Sequence, residues 1–166
     1  MHFRSSLYAI NIFIAVVCAA LPPAASAAPP TDACALLSTA QLSAALGVPM
    51  DAGTYVTPGF LRTCTWTPSG GATPGLKFVT LYLQPADGFD AGKGMLQMGQ
   101  SGGKVLLTSL SGVGDDAYYA DFGGKITSLF VKKGATAFKL TWYGATAPEK
   151  VMAIEKTLAL QALSKF

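Results

Sequence analysis

The sequence predicts an α+β domain: an antiparallel β-sheet, forming a meander in the C-terminal half, flanked by N- and C-terminal helices. Three observations carry this. Short segments rich in β-branched and aromatic residues fill residues 53–143. Two-residue turn signals join the last of them. Capped helix starts followed by apolar residues at helical spacing stand at the two ends of that region, rather than alternating with the strands as a parallel sheet would require.

Ahead of the domain, residues 1–27 read as a cleavable signal peptide. Arg4 supplies the basic start, Leu7 to Ala20 the apolar run, and Ala25-Ser26-Ala27 the small-residue exit. The run falls short of the roughly 20 apolar residues that cross a bilayer as a helix, and no later segment competes, so no transmembrane segment is expected after cleavage. Ala28 is the expected first residue, because a cut one position later would place Pro29 against the scissile bond. Lipid anchoring at Cys18 is disfavoured, since Val17 stands where a lipoprotein signal wants Gly, Ala or Ser. Residues 28–33 read as a flexible, Pro-rich leader and residues 34–166 as a single domain.

The first helix is expected to begin at Ser38, which has capping-box spacing to Gln41, and to end at Gly47-Val48-Pro49, with Leu42, Ala45 and Leu46 on one face. Strands follow over 53–57, 61–67 and 76–84, separated by Pro58-Gly59 and Ser69-Gly70-Gly71. Residues 85–101 predict only a short, irregular helix. Phe89, Met95, Leu96 and Met98 favour it, whereas Gly88, Gly92, Gly94 and Gly99 each weaken it by up to about 1 kcal/mol. The meander comprises 104–110, 116–122, 125–132 and 135–143, with Gly123-Gly124 and Lys133-Gly134 as hairpin turns. In its last strand Phe138, Leu140 and Trp142 take the buried face, and Lys139, Thr141 and Tyr143 the wetter one. The last helix is expected to start at a second capping box, Thr146 to Glu149 with Pro148 in its first turn. It carries Val151, Ile154, Leu158 and Ala162 towards the sheet.

Composition narrows the chemistry. The chain has one His, His2, which leaves with the signal, so Ser-His hydrolysis is excluded and a zinc site has no imidazole to use. The formal net charge is +3, loses one unit with Arg4, and is not clustered, which argues against nucleic acid as a partner. Cys34 and Cys64, alone after the signal in an oxidising compartment, predict a structural disulfide rather than a redox pair. Asp115, Asp116 and Asp121 lack a calcium-loop spacing and read as turn and strand-edge acids. Ser101-Gly102-Gly103-Lys104 has the Ser-x-x-Lys form of penicillin-recognising enzymes but none of their partner motifs. Gly92-Lys93-Gly94 lacks the spacing of a phosphate loop. The two glutamates, Glu149 and Glu155, both fall on the final helix, so an acid–base centre has few sources. No cofactor, no metal and no catalytic residue is expected. What remains is a surface: with the last hairpin setting the register, the sheet face opposite Trp142 collects Ile126, Phe130, Lys139, Thr141 and Tyr143, an amphipathic mixture able to hold a ligand or partner unless helix or loop covers it.

Cys34-Ala35-Leu36-Leu37-Ser38, Leu46-Gly47-Val48-Pro49, Cys64-Thr65-Trp66 and Gly112-Val113-Gly114-Asp115-Asp116-Ala117 together resemble a family of bacterial envelope proteins, many of them lipoproteins, of unknown function. The resemblance implies a Mog1/PsbP-like domain and supplies no catalytic residue. The expected role is an exported, periplasmic or secreted, non-catalytic binding or accessory domain. Its partner would be a protein, lipid or small molecule of the envelope. The alternative is an inhibitor or immunity protein that blocks an envelope-active enzyme.

Overall fold

A computed structural model describes residues 28–123 and 126–166; the expected signal, Cys18 and the Gly124 half of the Gly123-Gly124 turn lie outside them. The fold is α+β, as the sequence predicts. After α1 (Thr39–Leu46) come β1 (Thr54–Tyr55), β2 (Thr63–Trp66) and β3 (Phe78–Pro85), then α2 (Ala86–Ser101). The chain continues through β4 (Leu106–Leu110), β5 (Asp116–Asp121), β6 (Ile126–Lys133) and β7 (Thr136–Tyr143) to α3 (Pro148–Leu163). The strands form one antiparallel sheet in the order β1-β2-β3-β7-β6-β5-β4.

At α1 the capping box forms as its spacing predicts. Ser38 Oγ accepts from the Gln41 amide at 3.2 Å, and Gln41 Oε1 accepts from the Ser38 amide at 2.8 Å. Gly47 ends the helix at φ 70°, where a side chain would be strained. Just upstream, the Cys34–Cys64 disulfide ties the pre-helix segment to β2, with its Cα atoms 5.0 Å apart. Asp32 and Ala33 join the same attachment: Asp32 accepts from Tyr55 Oη and from the Cys34 amide, and the Ala33 amide donates to Leu61 O.

One sheet face, with α1 and α3 packed on it, forms the main core. Val79, Leu81 and Leu83 of β3, Leu129 and Val131 of β6, and Phe138, Leu140 and Trp142 of β7 meet Leu42 of α1 and Val151, Leu158 and Ala162 of α3. The alternation read along the last strand is what sends this trio inward. Truncating a fully buried leucine such as Leu140 removes both transfer energy and packing, a loss of about 2–5 kcal/mol.

Three local expectations change. The stretch 85–101 is a continuous sixteen-residue helix rather than a short, irregular one. Its four glycines keep negative φ, and its stability comes from tertiary contacts with β3, β4, β6 and β7, which outweigh weak propensity. The second capping box does not form: α3 starts at Pro148 after Ala147, with no side-chain cap. Thr146 instead donates its hydroxyl to Gly75 O at 2.8 Å, beside Trp142 Nε1 on the same carbonyl at 3.1 Å. The β6–β7 turn is Gly134-Ala135, one residue later than expected, because Lys133 still pairs with Thr136. Gly134 takes φ 56° and Ala135 does not take a positive φ, the combination a type II′ turn uses. Moving the turn by one residue moves the register by two, one full pleat, so the expected assignment of residues to faces survives.

Gly114 precedes β5 at φ 63°, and a Cβ there would run into the Lys132 carbonyl and Val131 Cγ1. Gly114→Ala is therefore expected to lower the urea-unfolding free energy by about 2 kcal/mol or more, combining a strained backbone with a forced shift of β6. A change within 0.5 kcal/mol in a denaturant titration would show that this junction yields more easily than its contacts imply.

Candidate functional site

The opposite sheet face is where the sequence places its candidate surface, and α2 divides it in two. Over one half, Phe89 of α2 is fully buried against Tyr118 and Ala137, with Leu96, Leu107 and Phe130 packed around them. Tyr118 stacks on Phe130 with centroids 4.7 Å apart, and Phe89 tilts onto Tyr118 at 5.2 Å. Ion pairs fasten the rim: Lys93 to Asp116 and Lys132 to Asp90, each at 2.7 Å, with both ammonium groups within 6 Å of the Phe89 ring. This ring of contacts explains how a glycine-rich helix stays docked. The Tyr118 hydroxyl beneath it is buried without a partner, and burial, then the charges of Asp116 and Asp90, push its pKa well above the ordinary tyrosine range.

The five candidate residues divide accordingly. Phe130 lies under α2. Thr141 is buried, its hydroxyl 3.0 Å from that of Ser128 on the neighbouring strand. Lys139 is partly buried at the boundary, its ammonium 5.8 Å from the Phe130 ring centroid and 6.0 Å from that of Tyr82. Among the described residues no carboxylate lies within ion-pair distance of it, and burial lowers its pKa. Tyr143 stacks on Phe78 at 4.2 Å, and Ile126, paired with Tyr143 across the strands, is 37% exposed. Ile126 and Tyr143 then line, with Lys77, Gly144 and Ala145, a mainly apolar hollow of about 360 Å³. The structure thus brings Ile126 and Tyr143 together at the open end, leaves Lys139 outside the lining of that hollow, and covers Phe130 and Thr141.

The acids read from the sequence serve three separate local ends. Asp115 accepts from the Gly134 amide at 2.7 Å and from Lys133 Nζ at 2.9 Å, clamping the β6–β7 turn. The Gly134 amide first, and Lys133 second, hold its carboxyl below the usual range. Asp116 holds Lys93, and Asp121 accepts from the Gly123 amide at 2.8 Å. Among the described residues no three His, Cys, Asp or Glu side chains gather as a metal site would need, and no helix is long and apolar enough to cross a membrane.

One buried group escaped the sequence reading. Glu155 of α3 is 1% exposed inside the main core, and neither carboxylate oxygen has a hydrogen-bond partner. Burial pushes its pKa up to about 9. Across from it, Tyr119 of β5 donates to the Met152 carbonyl at 2.6 Å, and burial, then Glu155, push its own pKa up to about 12. The signal was present in the sequence: Glu155 stands four residues after Val151 and three before Leu158, squarely on the apolar stripe. Being sealed in the core, it is a stability element and offers no surface to a substrate.

Compared with family models, curated proteins and solved structures, the chain matches none.

Proposed function

We propose that the chain is an exported, non-catalytic binding or accessory domain of the bacterial cell envelope, and that it binds through the half of the outer sheet face that α2 leaves open. The observation that carries this reading is the hollow beside the Phe78–Tyr143 stack, an apolar concavity walled by Ile126 and Tyr143 on a rigid sheet. The Cys34–Cys64 disulfide supports an oxidising compartment, and the Ala25-Ser26-Ala27 exit supports export. The same compartment and the motif resemblance favour an envelope role over a cytosolic one.

Two measurements test the reading. Intact mass of the protein recovered from its producing cell should correspond to a chain beginning at Ala28 without acyl groups. A mass matching a diacylated or triacylated Cys18 terminus would place it on the membrane surface instead. Affinity capture from envelope extract should retain a partner or small molecule that Tyr143→Ser and Ile126→Asp both release, whereas Met95→Ser, on the outer side of α2, keeps it. Equal retention by all three variants would remove the open face from the function.

A further inference from the structure

We infer that α2 is a lid: it lifts off the outer sheet face as one unit while the rest of the domain stays folded, and so uncovers a second row of aromatic side chains. This holds whether or not the open half of that face is where a partner binds.

The two faces of the sheet are held very differently. The main core beneath α1 and α3 contains no residue of α2, whereas Phe89 and Leu96 of α2 belong to a separate, smaller cluster with Tyr118, Ala137, Leu107 and Phe130. Of the sixteen residues of α2 only Phe89 is buried, against five in α3 of the same length. No side chain caps its N-terminus, and its four glycines disfavour the helix. The ion pairs Lys93–Asp116 and Lys132–Asp90 are part-exposed, so solvent screens them and they add little. Closure also leaves the hydroxyl of Tyr118, a residue 1% exposed, without a partner, and lifting returns water to it.

Off the sheet, a sixteen-residue helix with this many glycines does not persist, so lifting and melting of α2 are one event. The strand ladders need no residue of α2 and stay paired. The closed form dominates, and the open one is a local excursion that costs less than global unfolding. What it bares follows from the register: Tyr118, Phe130, Lys139 and Tyr82 stand side by side across β5, β6, β7 and β3. The outer face therefore has a narrow and a wide form, and the stacked rings of Tyr118 and Phe130 are reachable only in the wide one.

The test is residue-resolved amide hydrogen exchange on the disulfide-intact mature chain, with α3 as the internal reference. Amides of residues 90–101 are expected to share one rate, at least about a hundredfold faster than those of the middle of α3. Urea below the unfolding transition should speed α3 steeply and α2 only slightly, because opening α2 exposes far less surface than unfolding the domain. Leu158→Ala, in the main core, should speed α3 by at least about tenfold and leave α2 within about twofold. Near-UV circular dichroism reports whether that variant is folded; if it is not, the urea series carries the same comparison. Combining Gly92→Ala with Gly94→Ala, where an added Cβ meets nothing within 4 Å, should slow α2 by about tenfold or more. Equal rates and urea slopes for α2 and α3 would overturn the inference. So would a rate gradient rising towards one end of α2, the mark of fraying, or no slowing by the paired alanines.

Discussion

Raising the pH from about 4.5 towards 9 is expected to lower the unfolding free energy of the domain steadily, with a loss on the order of 3 kcal/mol by pH 7. Glu155→Gln should abolish most of that slope. Below its ordinary value of 4.5 the carboxyl is protonated in folded and unfolded chains alike, so it adds no pH dependence. Above that value the unfolded chain releases the proton while the core, pushing the folded value to about 9, keeps it. Each pH unit in the window then shifts the balance by about 1.4 kcal/mol towards the unfolded state. Tyr119, the titratable side chain facing Glu155 from β5, stays neutral throughout because its own value lies near 12. Asp115 acts with the opposite sign and in a different window: its lowered carboxyl stabilises above the ordinary value of 3.8 and loses that contribution as pH falls. Urea titrations at pH 5, 6, 7 and 8 on both proteins make the comparison. Parallel profiles for wild type and Glu155→Gln would mean that Glu155 is hydrated or paired in solution. Glu155→Met should go further and exceed the wild type in stability at pH 8, since it fills the same volume without a buried polar group.

Removal of the Cys34–Cys64 crosslink is expected to cost roughly 3.5 kcal/mol through the 30-residue separation it closes in the unfolded chain. The paired Cys34→Ala, Cys64→Ala variant is the cleaner test, because it leaves no thiol to react and no hydroxyl in a fully buried position of β2. The native state loses an anchor as well. The chain before α1 would then depend on the Asp32–Tyr55 contact and the Ala33–Leu61 backbone bond, both near the sheet edge. The midpoint in urea should fall with little change in the denaturant slope if the folded state is otherwise intact. Labelling of the untreated, denatured wild type should find no free thiol after export. Two reactive thiols in such material would undo the assignment of an oxidising compartment.

What the sequence made legible is what local rules control. The Ser38–Gln41 box, the Gly47 stop and the alternation of Phe138, Leu140 and Trp142 each arise from neighbours a few residues apart, and each stands in the structure. The errors arise where distant residues decide. Thr146 has the spacing of a cap but finds the Gly75 carbonyl, 71 positions away in sequence. The glycines of α2 argue against a helix until Phe89, Lys93 and Asp90 meet β5 and β6. Ile126, Phe130, Lys139, Thr141 and Tyr143 share one sheet face, because strand parity fixes that. Which members are covered depends on where α2 crosses, and no local signal encodes that. Glu155 was overlooked because its charge argued for solvent, although its place on the apolar stripe of α3 argued for the core.

The sheet order carries a consequence for how the chain comes together. β1, β2 and β3 form one hairpin-linked group and β4 to β7 another, and only the β3–β7 ladder joins them. That ladder pairs Phe78 with Tyr143 and Pro85 with Thr136, so the middle of the sheet closes between segments more than 50 residues apart while its two edges close locally. Loop closure makes such pairing the slow step, and it cannot begin until the seventh strand is available. A chain emerging in order from its N-terminus would hold two half-sheets, each with an unpaired inner strand, until its last quarter arrives. Nascent or truncated forms ending before residue 136 should therefore be the species that associate through those exposed edges.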